Sequence, residues 1–214
     1  MLVHERMTRH PITVKPDMPI NDALKLMRDE KIRRLPVVDR HGKLVGIVTQ
    51  TDLLYASPSP ATSLSIYEVH YLVSKIQVKD VMTKDVITVS EYTPIEEAAR
   101  IMADNKIGGL PVMRNGRLVG IITETDLFKI FLELMGAREK GVRITLLVPE
   151  QPGILAGITK TIAEMGGNIV ALGTFLGEDP TNRLITIKVE GVEQEQLTLA
   201  MESLGHEIVD VRTT

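Results

Sequence analysis

Apolar positions recur along this chain in blocks whose spacing changes from helical to strand-like and back. Ile20, Ala23, Leu24 and Met27 fall at i, i+3, i+4 and i+7, which predicts an amphipathic helix. Ile95, Ala98, Ala99 and Met102 predict a second helix in the same register. Thr93-Pro94-Ile95-Glu96 at its start reads as a capping box with proline at the first helical position. A short β run precedes each helix, Ile12-Thr13-Val14 in one case and Ile87-Thr88-Val89 in the other. After the first helix come a strand over 35–38, a polar turn ending in Gly42, a strand over 44–49, and a helix opening near Asp52. The same order follows the second helix, so each block predicts β-α-β-β-α.

The two blocks are copies. Residues 7–38 align with 82–113 at 15 of 32 identical positions. GKLVGIVTQTDL from Gly42 aligns with GRLVGIITETDL from Gly116, differing only at Lys/Arg, Val/Ile and Gln/Glu. The one-residue change in offset falls in the polar turn between two strands, where an insertion costs least. One repeat alone would expose an apolar sheet face, and two packed together would bury it. Between them, Ser57-Pro58-Ser59-Pro60-Ala61-Thr62 reads as a stiff linker, and 64–76 as a helix leading into the second repeat.

A third pattern begins after Gly136 and Gly141, which flank the charged Arg138-Glu139-Lys140 and mark a hinge and a domain boundary. Val142, Ile144, Leu146 and Val148 alternate as a strand. Ile154, Leu155, Ile158, Ile162 and Met165 follow at helical spacing, closed by Gly166-Gly167. Strands over 169–175 and 184–190, a helix through Leu197, Ala200, Met201 and Leu204, and a strand over 208–212 complete β-α-β-β-α-β, the ferredoxin-like order. The whole is an α+β chain with boundaries at 1–56 (first repeat), 57–76 (linker and helix), 77–136 (second repeat) and 142–214 (third unit).

Composition narrows the function. The 214 residues carry a net charge of -3, so no general field attracts nucleic acid or anionic lipid. No apolar run approaches the ~18–20 residues that span a bilayer, and the N-terminus lacks the apolar core of a signal peptide. A cytoplasmic location is the simpler expectation. Zero cysteines exclude disulfides, thiolate nucleophiles and Cys-ligated metals. Aromatics make up 3 % with no Trp, too few for base-stacking platforms. The five histidines form no HExxH or i,i+4 pair, the methionines on helix faces read as core filler, and no P-loop, dinucleotide fingerprint or nucleophile elbow occurs. No catalytic residue and no metal ligand is expected.

Candidate chemistry sits where both repeats agree: Thr49, Thr51 and Asp52 in one, Thr123, Thr125 and Asp126 in the other. A carboxylate can accept both hydroxyls of a ribose diol. Hydroxyls and free amides at a helix start suit phosphate oxygens. The same Thr-x-x-Asp spacing also serves as a plain helix cap.

The paired segments MTRHPITVKPDMPINDALKLM…IRRLPVV…GKLVGIVTQTDLL and MTKDVITVSEYTPIEEAARIM…IGGLPVM…GRLVGIITETDLF resemble a tandem pair of CBS domains, a Bateman module. Glu150-Gln151-Pro152-Gly153-Ile154-Leu155 with Gly167-Asn168-Ile169 resembles the ACT domains. The combination is similar to the acetoin-utilisation family of bacterial CBS–ACT proteins. The resemblance implies an adenine nucleotide (AMP, ADP, ATP or a related adenosyl ligand) in the cleft of the CBS pair, with the Asp on ribose and the Thr residues on phosphate. It places Arg33 and Arg34 at the cleft border, where they could pair with phosphates; the matching positions of the second repeat are Gly108 and Gly109, which could admit a ligand closely or mark a tight backbone. It assigns the backbone of Thr13-Val14 and Thr88-Val89 to the adenine edge, although these also suit ordinary strands. Gly153 and Asn168 are the corresponding ACT ligand candidates, and equally suit a helix-entry glycine and a turn asparagine.

The expectation is therefore a non-catalytic sensor that needs no cofactor, forms a homodimer, and acts on a regulated protein partner. Its ligands would be an adenine nucleotide and an amino acid or small metabolite. The rivals are a small-molecule-metabolising enzyme and a ligand-free dimerisation adaptor.

Overall fold

The computed structural model describes residues 1–56 and 75–214. The linker at 57–62 and nearly all of the helix expected at 64–76 lie outside the described residues. Two compact units result, Met1–Leu127 and Phe128–Thr214.

In the first unit, repeat one runs through α1 (Val3–Arg6), β1 (Thr8–Arg9), α2 (Ile20–Asp29), β2 (Arg34–Val38), β3 (Leu44–Thr49) and α3 (Gln50–Tyr55). Repeat two runs through α4 (Val78–Val81), β4 (Val89–Ser90), α5 (Ile95–Asn105), β5 (Gly109–Arg114), β6 (Arg117–Thr123) and α6 (Glu124–Leu134), the last continuing into the second unit. The predicted helical stripe is the buried one: Ile20, Ala23 and Met27 of α2 pack on Leu35, Val37 and Val48. Ile95, Ala98 and Met102 of α5 are buried in the same pattern.

The repeats exchange their leading segments. β1 adds to the sheet of repeat two, pairing Thr8 with Ile121 and Arg9 with Gly120, in strand order β1-β6-β5-β4. Thr83 of repeat two pairs in return with Ile47 of β3, through two backbone hydrogen bonds of 2.9 Å. Gly46 and Gly120 leave room for the crossing segments, since a Cβ at either would collide with Met82 or Met7.

The expected capping box at Thr93 does not form. Pro94 is the N-cap of α5 and makes no side-chain cap bond. The Ile95 amide donates instead to the Met1 carbonyl at 3.1 Å, so the exchanged chain start supplies the acceptor. Ile20 donates likewise to the Ile76 carbonyl at 3.1 Å.

The second unit contains β7 (Val142–Pro149), α7 (Ile154–Glu164), β8 (Asn168–Leu176), β9 (Asn182–Glu190), α8 (Gln194–Ser203) and β10 (Glu207–Thr213). Its antiparallel sheet has the order β10-β7-β9-β8. Ile144, Leu146 and Ile187 meet Ile158, Ile162, Leu197 and Met201 in one core. The segment expected to be a hinge is fastened at both ends. Lys188, only 4 % exposed, donates from Nζ to the carbonyls of Gly136 at 2.9 Å and Glu139 at 2.6 Å. Gly141 exchanges two backbone hydrogen bonds with Thr214, at 3.2 and 3.0 Å.

Candidate functional site

Strand β6 ends at Thr123 and α6 begins one residue later, which leaves first-turn amides without helical acceptors. Asp126 satisfies part of that need. One of its carboxylate oxygens, Oδ2, accepts from the Thr123 amide at 3.0 Å and from the Thr123 hydroxyl at 2.7 Å. Thr49 and Asp52 repeat the arrangement at 2.8 and 2.7 Å. Both carboxylates are therefore caps. In each case Oδ1 carries no hydrogen bond among the described residues, so capping and ligand binding do not compete for the same lone pairs.

A cavity of about 280 Å3 lies between the two repeats. Repeat two contributes Ile121, Thr123, Thr125 and Asp126, while repeat one contributes Thr8, His10, Pro11, Ile12, Lys31, Ile32, Arg33, Arg34 and Pro36. The apolar residues Pro11, Ile12, Pro36 and Ile121 offer flat walls for a heterocyclic ring, and the cations, Thr8 and Thr125 offer hydrogen-bond donors to an anion. Because β1 crosses to β6, the chain just after β1 reaches this cleft. Thr8, His10, Pro11, Ile12, Lys31, Ile32, Pro36 and Ile121 are the lining residues that the sequence reading missed. The fixed offset between Met7-Thr8 and Met82-Thr83 was the available signal, but it says nothing about which sheet the segment joins.

Thr13, Val14, Thr88 and Val89 do not line this cavity. Val14 is buried, its amide donating to Pro36 and its carbonyl accepting from Val38, at 3.1 and 2.9 Å. Val89 pairs with Val112 in a parallel ladder. The backbone groups of Val14 and Val89 serve the sheets, and the cleft is lined instead by residues 10–12. Thr49, Thr51 and Asp52 line none of the described cavities, although their local geometry matches that of Thr123 and Asp126.

Arg34 reaches across the repeat interface rather than into open solvent. Its Nη1 donates to the Gly108 carbonyl. Burial pushes its pKa below the ordinary value, and the neighbouring Glu124 carboxylate opposes that shift. Gly108 and Gly109 are glycines for this reason: a Cβ at Gly109 would come within 2.7 Å of the Arg34 Nη1, and one at Gly108 would strike both Arg34 and Glu124. The glycines admit an arginine of the other repeat. Arg33 and Lys31, both exposed, have no hydrogen-bond or ionic partner among the described residues and are the free cations of the cleft.

In the second unit Gly153 takes φ +93 as the N-cap of α7 and lines a cavity of about 410 Å3 with Glu150, Gln151, Thr174 and Arg183. Arg183 is paired with Glu150. Asn168 lies outside that cavity, with its side-chain amide 3.5 Å from Glu190. Among the described residues no cluster of His, Asp and Glu could hold a metal ion, and no helix is long and apolar enough to cross a membrane.

A duplicated β-α-β-β-α frame with an interface cleft, followed by a ferredoxin-like unit, defines a two-module architecture. Residues 3–59 and 78–133 match the CBS domain, and residues 140–212 match the TTHA0829-like ACT domain. The chain belongs to the CBS-domain family, as a tandem CBS pair followed by an ACT domain. A CBS domain-containing protein of Dictyostelium discoideum is 33 % identical over 63 % of this chain and 94 % of its own length. The inosine-5'-monophosphate dehydrogenase of Methanocaldococcus jannaschii is 37 % identical, but the match covers only 24 % of that enzyme. Among solved structures, a putative acetoin utilization protein (AcuB) from Vibrio cholerae has a TM-score of 0.54 and 38 % identity, covering 65 % of this chain and 96 % of that one. The CBS pair of protein MJ0100, in complex with 5'-methylthioadenosine and S-adenosyl-L-methionine, has a TM-score of 0.52 and 32 % identity over 65 % and 98 % of the two chains. CBSX2 in complex with AMP has a TM-score of 0.51 and 34 % identity over 61 % and 96 %.

Proposed function

We propose that this chain is a non-catalytic sensor that binds an adenine nucleotide or related adenosyl ligand in the cleft between its CBS repeats. One observation carries the reading: the free Oδ1 of Asp126 and the Thr125 hydroxyl of one repeat line the same cavity as Lys31 and Arg33 of the other. Ribose, phosphate and a ring-sized apolar wall are each provided for within 280 Å3. The adenosyl ligands of CBSX2 and MJ0100 support the ligand class. The matching residues Thr49, Thr51, Asp52 and Gly109 would serve a second, related cleft. The cavity beside Gly153 would receive an amino acid or small metabolite. The chain would act as a homodimer on a protein partner in central or acetoin metabolism, and likeness to the acetoin utilization protein favours the latter pathway.

Titration calorimetry on the full chain with AMP, ATP and S-adenosylmethionine tests this. Asp126→Ala removes a charged acceptor of the ribose diol and should weaken binding by roughly ten- to a hundredfold. Affinity unchanged in the Asp52→Ala, Asp126→Ala double variant overturns the assignment.

A further inference from the structure

Three residues of the cleft border a second space as well. Lys31, Ile32 and Arg33 also line a second, larger cavity of about 590 Å3, formed on the outer side by α2 and α3. Among the described residues its other polar lining groups are Asn21, Lys25, Arg28 and Gln50, with no carboxylate. Lys25, Lys31 and Arg33 have no ionic partner among the described residues, and Arg28 meets only Asp29, at 3.8 Å. Lys31 recurs as Lys106, but the rest of this basic surface does not follow from the duplicated frame. The counterpart of Lys25 is Arg100, locked between Glu97 at 2.6 Å and Asp104 at 2.9 Å. The counterparts of Arg28 and Arg33 are Ala103 and Gly108.

Size and charge then act together. A cavity of 280 Å3 lies at the lower edge of the ~300–1,000 Å3 typical of small-molecule sites. A nucleoside with one phosphate fits that scale, and a longer phosphate chain extends past it. The wall that carries unpaired cations on both sides is Lys31–Arg33.

We infer that Lys25 and Arg28 form an outer phosphate subsite, so that the cleft of this chain selects nucleotides bearing a polyphosphate chain over monophosphates. The inference rests on the adenine-nucleotide reading of the cleft and assigns its phosphate-length specificity. Lys25 and Arg28 are exposed on α2 and bear on no core contact, so their replacement leaves the fold intact.

The test is calorimetry with AMP and ATP in magnesium-free buffer, comparing the natural chain with the Lys25→Ala, Arg28→Ala variant. The natural chain should bind ATP about tenfold more tightly than AMP, one charge-assisted contact's worth of discrimination. The variant should lose that preference and keep its AMP affinity, and the salt dependence of ATP binding should flatten with it. An ATP-to-AMP ratio near one in the natural chain, or a ratio that the variant leaves unmoved, overturns the outer subsite while the cleft stands. Binding of neither nucleotide overturns the cleft reading itself, and the subsite with it.

Discussion

The two repeats share a backbone and differ in charge. Both bury the same helical stripe, both close their last strand with a Thr-Asp cap, and both receive a crossing segment over a glycine. Around that frame the side chains diverge. Repeat one presents Arg33-Arg34 where repeat two has Gly108-Gly109, and leaves Lys25 free where repeat two ties Arg100 to two carboxylates. Repeat two buries Glu91 against Arg114 where repeat one has Pro16. Positions that set backbone geometry are common to both copies. Positions that set charge are free to differ, because a surface or rim charge contributes little to folding. A symmetric fold thus carries an asymmetric site.

The largest effect expected from breaking this asymmetry is at Gly109. A methyl group there falls within 2.7 Å of Nη1 and 3.0 Å of Cδ of Arg34, so Gly109→Ala should displace the Arg34 side chain and cost ~1.5–3 kcal/mol through loss of its charged hydrogen bond to Gly108. Arg34→Ala should relieve most of that cost, as expected for residues in direct contact. Urea unfolding of the two single variants and the double variant measures the coupling; additive costs would mean that the glycines are there for another reason.

The caps should behave alike where the rims do not. Asp52→Ala and Asp126→Ala each remove the same helix-start bonds and should each cost ~0.5–2 kcal/mol of stability. Thermal unfolding of both variants without ligand checks this. A large inequality would place one carboxylate in a structural role that the other lacks.

The smallest effect is confined to acid. The Arg114 guanidinium holds the Glu91 carboxyl below its ordinary value, against the opposing effect of burial. A carboxyl with a lowered folded-state pKa adds stability that is complete above its unfolded value, about 4.5, and is lost as pH falls through the folded value. The melting temperature of the natural chain should therefore drop more steeply below about pH 4.5 than that of Arg114→Ala. Parallel acid limbs in the two proteins would remove the pair from the account.

Much of the fold was legible because its signals are local. The 3.6-residue spacing of Ile20, Ala23 and Met27, the alternation of Val142 to Val148, and the duplication itself need no knowledge of distant partners. What could not be read depends on contacts between far-separated residues. The crossing of β1 onto β6 brings His10, Pro11 and Ile12 to the cleft, whereas Val14 spends its amide and carbonyl on β2. The Met1 carbonyl displaces the capping role expected of Thr93. Gly136 and Gly141 have the composition of a hinge, and only the sheet shows that Lys188 and Thr214 hold them. Thr123, Thr125 and Asp126 were legible as a group because each recurs in the other copy. The occupation of the Gly108-Gly109 space by Arg34 was not, since glycine signals room without naming the occupant.

The exchange of leading segments has a consequence for how such a chain folds and arises. Neither repeat can complete its sheet with its own residues: Thr8 must find Ile121, and Thr83 must find Ile47. Closing the first of these pairings encloses almost the whole unit, so it raises contact order and slows the final step of folding. A chain cut between the repeats would leave each half with an unfilled strand edge matched only by the other half, and the two pieces should reassociate rather than fold apart. A single-repeat ancestor could have satisfied the same edges only by trading segments with a second copy of itself, which is domain swapping. Fusion of two such copies would then have turned an encounter between molecules into a tether, freeing each half to acquire its own charges.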